Sequence, residues 1–354
     1  MRGKIASLDC LRALACLTVL LGHMHIFEYA ALGVSIFFVM SGFLMTYNYI
    51  DRPVMEKPDV LFAVKFGIRK IRKLYPLHLI MLIFPMGLQL IAVRAGLQSI
   101  NGQFLLRSLS VVSLVHSLFP SGDYYFFLNS PSWFLSSLMF VSMLFPAVLR
   151  GVRKCRSTGN ALLAVFISFI IQFILCGIVG RTAPEKLIQW FTYICPLTRL
   201  FELSAGAYTA YIFINMRNKE LSAAAASLLE AAAVAFCIAA QKVFYLGIVP
   251  DYWIRTSLYF FPSVFIVFVS ALGGGILTKL LLNPVTKLIS DMSAYIFIIH
   301  AVVINAVSII IDRLPLPVPA AKAIYCITIP AISLALSLAY SKAYDYVKKR
   351  RAAV

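Results

Sequence analysis

The sequence has few charged residues: they make up 13% of its 354 positions, whereas hydrophobic residues make up 61%. It has no polar stretch long enough to form a separate soluble domain. Apolar runs of about 20 residues recur instead from one end to the other, which excludes a soluble globular protein. The composition therefore predicts an all-α, polytopic membrane protein with one integral-membrane domain over 1–354.

The chain also lacks the residue spacings that mark metal sites and disulfide-stapled folds. Its seven cysteines are odd in number and lie in apolar runs or in a basic loop. Such cysteines predict no disulfide framework, and without metal-type spacing they predict no metal site. No internal repeat is apparent.

Ten apolar segments are long enough to cross a membrane. They lie near 8–27, 32–50, 74–96, 133–150, 160–180, 191–214, 221–245, 256–275, 292–312 and 320–344. Because the number is even, both termini are expected on one side. Of the 32 Lys and Arg residues, 22 lie at or near that side and nine at or near the opposite side. The positive-inside rule then predicts cytoplasmic termini, and the net charge of +18 reflects topology rather than nucleic-acid binding.

The first span contains three ionisable residues, Asp9, Arg12 and His23. Ionisable groups in the hydrocarbon interior cost at least a few kcal/mol each, so they favour a functional interpretation. Arg12 and His23 share one helical face, about 16 Å apart along the axis, with Asp9 about 60° behind Arg12. His25 faces elsewhere. This layout predicts a groove through the membrane, and we expect a retained span rather than a cleaved signal peptide.

The loop 51–73 is the most basic part of the chain. Its second half is amphipathic, with apolar residues alternating with Lys65, Arg69 and Arg72. One interpretation is an interfacial helix on anionic lipid. The other is a phosphate-binding patch at the cytoplasmic mouth of the groove, because guanidinium groups match phosphate in a bidentate way.

Several further polar residues have both a structural and a functional interpretation. Arg199 and Glu202 are three residues apart on one face of the sixth span, as in an ion pair, and buried pairs are often structural. His300 lies near the middle of the ninth span, as either a packing residue or a ligand. Ser41, beside Gly42, favours close helix packing or presents a hydroxyl to a ligand.

The segment 104–119 is apolar but short, and Arg107 and His116 interrupt it. We expect an outer-face interfacial or re-entrant helix there rather than a span. An aromatic stretch follows this segment and leads to Trp133. Together these residues predict an outer-face surface of polar and aromatic groups, which suits sugars or lipid headgroups.

Together these residues resemble the acyltransferase-3 family of multi-pass bacterial membrane O-acyltransferases. Leu8-Asp9 followed by Arg12, ten residues and His23 matches the Arg-x10-His motif of that family. The family often has an acid where this chain has Ser35, so any role of that acid is not transferred. The other matches are Gly33-Val34 with Ser41-Gly42-Phe43, Arg69-x-x-Arg72 before Tyr75-Pro76, Trp133-Phe134-Leu135, Arg199-x-x-Glu202, and Ser293-Ala294-Tyr295 with His300.

The resemblance implies an acyl-CoA donor, usually acetyl-CoA, a bacterial cell-membrane location and a surface glycan or related hydroxyl acceptor. It implies His23 as the essential catalytic group, and we add Arg12 and Asp9 to the candidate catalytic residues. For the donor we name Arg12, Arg69, Arg72 and Ser41. For the acceptor, or as structural support, we name Trp133, Arg199, Glu202 and His300.

The sequence leaves open two catalytic mechanisms and one rival function. His23 acts as a general base towards the acceptor hydroxyl, or it forms an acyl-histidine intermediate. A transporter or flippase of a lipid-linked or anionic solute is the rival from another class, with Arg12 and Arg199 along its path. Transporters typically have repeated halves and broken helices, which the sequence does not show. Soluble-type acyltransferases are excluded, because no histidine is followed by aspartate five residues later.

Overall fold

The computed structural model describes residues 3–28, 30–55, 59–97, 99–216 and 221–352. These ranges are helical and contain no β-strand, which confirms the all-α prediction. The described helices are α1 (Ala6–His23), α2 (Ala30–Tyr49), α3 (Val60–Ile71), α4 (Tyr75–Arg94), α5 (Gly102–Val112), α6 (Gly122–Tyr125), α7 (Ser132–Arg153), α8 (Thr158–Thr182), α9 (Glu185–Gln189), α10 (Pro196–Met216), α11 (Ala223–Tyr245), α12 (Asp251–Ile254), α13 (Ser257–Leu272), α14 (Ile276–Leu281), α15 (Pro284–Ile311) and α16 (Val318–Ala352).

Within those ranges, nine helical stretches are long and apolar enough to cross a membrane. They are α1, α2, α4, α7, α8, α11, the stretch Asp251–Leu272 that contains α12 and α13, α15 and α16. The multi-pass prediction is confirmed, with nine candidate spans rather than ten. The tenth predicted span, 191–214, is present as α10, but polar residues such as Arg199 and Glu202 make that helix less apolar.

Helix α10 packs most closely against α2. A Cβ atom added to Gly42 would lie 1.9 Å from the carbonyl oxygen of Leu203, and one added to Gly206 would lie 1.8 Å from that of Val39. Only glycine allows the two backbones to approach this closely, as small residues do at helix crossings in membranes. Gly42 therefore serves helix packing. The neighbouring Ser41 hydroxyl donates to the Phe37 carbonyl at 2.7 Å, which leaves its oxygen as an acceptor.

Helices α1 and α15 lie side by side and run in the same direction. Cys16 Sγ is 3.6 Å from the carbonyl oxygen of Ser293, and seven residues further along each helix the rings of His23 and His300 meet. Helix α15 begins at Pro284, eight residues before the predicted start of its span, because Asn283 caps it by accepting from the Thr286 amide. This parallel pairing brings the two histidines to one level.

The basic loop contains α3, as its amphipathic pattern predicted. Asp59 caps α3 by accepting a hydrogen bond from the Phe62 amide, and the helix buries Phe66, Gly67 and Ile71. A Cβ on Gly67 would lie 2.6 Å from the carbonyl oxygen of Met139, so α3 packs tightly on α7. One face of α3 is thus covered by protein, whereas the apolar residues Leu61 and Ile68 stay exposed beside its basic residues.

The segment 104–119 forms no helix long enough to cross a membrane. It forms α5, which at 11 residues is about 16 Å long, and then a single 3-10 turn at His116–Leu118. Tyr75 donates to the Val112 carbonyl and the His78 ring contacts the Val111 carbonyl, each at 3.0 Å. Helix α5 therefore folds back against the start of α4.

Four residues of the charge count, Arg2, Lys57, Arg217 and Lys219, lie outside the described residues.

Candidate active site

The ring of His23, the last residue of α1, lies against the ring of His300 at mid-length of α15. The ring centroids are 4.9 Å apart, and the planes meet edge to face at 62°. Each Nδ1 atom lies beside the carbonyl oxygen four residues earlier, Val19 at 2.8 Å for His23 and Ile296 at 3.1 Å for His300. A carbonyl only accepts, so each Nδ1 carries the proton and each neutral ring keeps its lone pair on Nε2.

The lone pair of His300 lies in a fully buried environment, since the residue is 1% exposed. Its Nε2 atom has no hydrogen-bond partner among the described residues. His23 is less enclosed, at the open end of α1, and His25 lies past the helix end with an exposed side chain. Two imidazole acceptors at one level, one of them accessible, are suited to removing a proton from a hydroxyl group.

Arg12, eleven residues before His23 on α1, lines a cavity of about 140 Å³. The cavity is mainly apolar, with polar groups from Arg12, Ser41 and Ser293. Its remaining walls are Phe37, Met40, Leu44, Leu74, Phe134, Leu135, Leu138, Ala294, Phe297 and Ile298. Helices α1, α2, α7 and α15 thus enclose a space that begins at Arg12 and runs towards the histidine pair.

Three aromatic rings, which we call the aromatic barrier, line this cavity, and one of them also contacts the histidine pair. Phe37, Phe134 and Phe297 contact one another, with ring centroids 4.7–6.0 Å apart. On the far side of this aromatic barrier, the Phe297 ring lies 5.8 Å from the His300 ring. Phe297 therefore lies between the cavity and His300. No sequence motif pointed to Phe297, although it lies one helical turn before His300.

Asp9 is close to Arg12 but far from His23. Its carboxylate accepts from Arg12 Nη1 at 3.3 Å and pairs with Lys4 Nζ at 2.6 Å. Fourteen residues of helix, about 21 Å, separate it from His23. The structure thus places Asp9 as a residue that positions the guanidinium of Arg12 rather than as a partner of the imidazole.

Arg69 and Arg72 are exposed at the end of α3. Arg69 Nε donates to the Lys65 carbonyl at 3.3 Å, and its guanidinium lies 5.5 Å from the centre of the Phe62 ring. Leu74, two residues after Arg72, lines the cavity of Arg12. The basic end of α3 therefore leads directly to that cavity.

Arg199, Glu202 and Trp133 form one buried network. Arg199 Nη1 donates to Glu202 at 2.8 Å, and Arg199 Nε donates to the Tyr193 carbonyl at 2.7 Å. The guanidinium also lies 5.6 Å from the Trp133 ring, and Ser35 on α2 donates to Glu202 at 2.7 Å. Both Arg199 and Glu202 are 0% exposed, so this network ties α2, α7 and α10 together as structural support.

Asn129 is a second residue near the histidines that the sequence analysis did not single out. Its side-chain amide donates to the Ile298 carbonyl at 3.0 Å, two residues before His300. This bond ties the segment that precedes α7 to α15 at the level of the histidine pair. Asn129 belongs to the polar stretch before Trp133. The polarity of that stretch was the sequence feature that could have identified it.

The fold defines a multi-pass membrane protein in which histidines from two candidate spans meet. The model of the "Acyltransferase domain" family Acyl_transf_3 matches residues 5–340. The chain therefore belongs to the acyltransferase-3 family, as the motifs predicted.

Two relatives extend this comparison. Acyltransferase MdmB from Streptomyces mycarofaciens is 26% identical over 198 residues, which cover 53% of this chain and 48% of that protein. Peptidoglycan O-acetyltransferase OatA from Listeria monocytogenes is 27% identical over 223 residues, which cover 60% of this chain and 34% of that protein. The matched region thus spans half or less of each relative. No solved structure matches the chain significantly.

Proposed function

We propose that the protein transfers an acyl group, specifically acetyl, from cytoplasmic acyl-CoA to a hydroxyl group of a surface glycan or related acceptor. The observation that carries the proposal is the hydrogen bond from His23 Nδ1 to the Val19 carbonyl. It leaves Nε2 as the basic nitrogen of a ring at the open end of α1. The name of the Listeria relative, a peptidoglycan O-acetyltransferase, supports acetyl as the group and glycan as the acceptor.

In the simplest mechanism, His23 Nε2 takes the proton from the acceptor hydroxyl while its oxygen attacks the thioester carbonyl. The carbon–sulfur bond then breaks, CoA leaves as a thiolate, and the imidazolium returns the proton to sulfur. In the alternative, Nε2 attacks the carbonyl itself, the carbon–sulfur bond breaks and CoA leaves as a thiolate. The acceptor oxygen then attacks the acyl-imidazolium, the acyl–nitrogen bond breaks, and the hydroxyl proton passes to water. His300, held in the same tautomer against His23, fixes the orientation of the His23 ring in both.

For the donor, we assign the phosphates of CoA to Arg12, Arg69 and Arg72, and a polar contact in the cavity to Ser41. The support is that Arg12 and Ser41 line one cavity and that the basic end of α3 leads to it. The aromatic barrier lines this cavity, and its Phe297 ring contacts His300, the neighbour of His23. We therefore assign its rings a second role, which is to move aside for the thioester and to exclude water otherwise.

The membrane orientation belongs to the same proposal. With both termini in the cytoplasm of a bacterium, Arg12 lies near the cytoplasmic end of α1 and His23 near the outer end. The distribution of Lys and Arg supports this orientation. Membership of the acyltransferase-3 family favours acyl transfer over the transporter or flippase alternative.

The test uses purified protein and acetyl-CoA labelled in the acetyl group. We expect release of labelled acetate, or transfer to a glycan fraction from the source cells, and loss of both in His23→Ala. A His23→Ala protein as active as the wild type would refute the assignment. Rapid quenching distinguishes the two mechanisms, because only the acyl-histidine route leaves label on the protein.

A further inference from the structure

A cluster of cations surrounds the Tyr49 ring, at the end of α2. Arg52 Cζ lies 4.7 Å and Lys70 Nζ lies 5.1 Å from the centre of that ring. Lys70 Nζ is also 4.8 Å from the centre of the Phe66 ring. We refer to Tyr49, Arg52, Phe66 and Lys70 as the Tyr49 cluster. It joins the ends of α2 and α3, and neither of its cations belongs to the motifs discussed above.

The fold holds this cluster in place from behind. Arg153 on α7 donates to the carbonyl oxygens of Ile50 and Arg52, each at 2.9 Å, and so fixes the backbone that follows α2. The Phe66 ring packs against Tyr49 at 5.3 Å and against Phe145 on α7 at 5.7 Å. The two cations are therefore held by tightly packed neighbouring residues, which limits the conformational entropy that is lost when a ligand binds.

The positive charge of the cluster is not neutralised within the described parts of the chain. There, no carboxylate forms an ion pair with Arg52, Arg69 or Lys70. Burial, together with repulsion from Arg69 and Arg52, lowers the pKa of Lys70 to about 8. Half-buried cations without a counter-charge are costly, and a bound anion removes that cost.

We propose that the Tyr49 cluster binds a phosphate monoester, and that in this protein the ligand is the 3′-phosphate of CoA. The assignment to CoA rests on the proposed function. The position of the Tyr49 cluster near the Arg12 cavity supports this assignment. Helix α2 carries Ser41 and Leu44 in the cavity wall and Tyr49 beyond them, and Leu74 in the same wall follows Lys70 by four residues. A dianionic phosphate forms strong charge-assisted hydrogen bonds with both cations.

The headgroup of phosphatidic acid carries the same chemistry, so the experiment must separate the two sources. Protein is placed in nanodiscs of neutral phosphatidylcholine, and calorimetry measures Kd for acetyl-CoA and for acetyl-3′-dephospho-CoA. We expect the wild type to bind acetyl-CoA about tenfold more tightly, the usual effect of one charged hydrogen bond. In Lys70→Gln and in Arg52→Gln this preference should disappear, with the Kd for the dephospho form unchanged.

Two variants serve as controls. Lys70→Arg keeps the charge and should keep the preference, whereas Lys65→Gln removes an exposed lysine of the same helix and should change nothing. Equal wild-type binding of both donors, or of neither, would overturn the inference. So would equal weakening of both donors in Lys70→Gln, or a preference altered by adding phosphatidic acid. A protein that discriminates the two donors but transfers no acyl group would refute the proposed function and leave this inference intact.

Discussion

The His23 and His300 rings touch at 4.9 Å, yet each is oriented by a hydrogen bond to its own helix rather than to the other ring. Both neutral rings therefore have an acceptor Nε2, and neither can donate to the other. A substrate hydroxyl or a water molecule can supply the missing donor. Of the two residues, His23 is the more accessible, so we assign it the proton transfer.

His23→Ala should lower acyl transfer by about 10²–10⁴-fold, the usual contribution of a general base. His25→Ala should retain most activity, because that side chain is exposed beyond the end of α1. Label transfer from acetyl-CoA, with membrane content measured by immunoblot, gives the comparison. Equal loss in both variants would contradict the assignment to one helical face.

Phe297→Ala should raise the hydrolysis of acetyl-CoA in the absence of acceptor, because this ring separates the Arg12 cavity from His300. Removing it joins the two spaces and admits water. Leu44→Ala enlarges the same cavity away from the histidines and is the matched control. Gel filtration identifies misfolded protein, since a buried Phe→Ala change can cost about 3–5 kcal/mol. Unchanged hydrolysis in well-folded Phe297→Ala would show that the barrier does not limit access.

The proposed orientation predicts which loops a membrane-impermeant maleimide reaches from outside. In a cysteine-free background, Asp123→Cys before α7 should be labelled on intact cells, whereas Arg156→Cys after α7 should react only after permeabilisation. Both side chains are exposed, so access rather than burial decides the result. The reverse pattern would place the donor side outside.

Arg69→Lys and Arg72→Lys should each raise KM for acetyl-CoA several-fold with little change in membrane content. Lysine keeps the charge but loses the bidentate geometry that matches phosphate. Lys65→Arg, on the same helix, is the charge-preserving control. A lipid anchor requires charge alone, so an unchanged KM in both variants would favour the interfacial interpretation of α3.

The affinity for acetyl-CoA should fall as the pH rises above about 8, because burial lowers the pKa of Lys70 to about 8. Below that pH the ammonium is charged and attracts phosphate, and above it the attraction is lost. Lys70→Arg stays charged throughout and should extend tight binding to higher pH. Calorimetry from pH 6.5 to 9.5 gives the comparison, with acetyl-3′-dephospho-CoA as the ligand that should show no such decline. Parallel pH profiles for wild type and Lys70→Arg would exclude Lys70 as the titrating group.

By itself the sequence determined the features that depend on local spacing. The length of the apolar runs predicted a multi-pass helical protein, and the eleven-residue interval from Arg12 to His23 predicted their common face. The amphipathic pattern likewise predicted α3. The multi-pass helical architecture and α3 are confirmed, because helical periodicity fixes the relative directions of side chains a few turns apart, whatever the rest of the chain does. The common face of Arg12 and His23 stays a prediction.

Contacts between distant segments were decided only by the tertiary structure. His300 reaches His23 because α15 packs parallel to α1, and Asn129 reaches Ile298 from a different part of the chain. The aromatic barrier combines rings from three helices, and the Tyr49 cluster combines side chains near the ends of two. A sequence pattern describes the face of one helix, whereas the choice of the opposing face depends on packing among all of them.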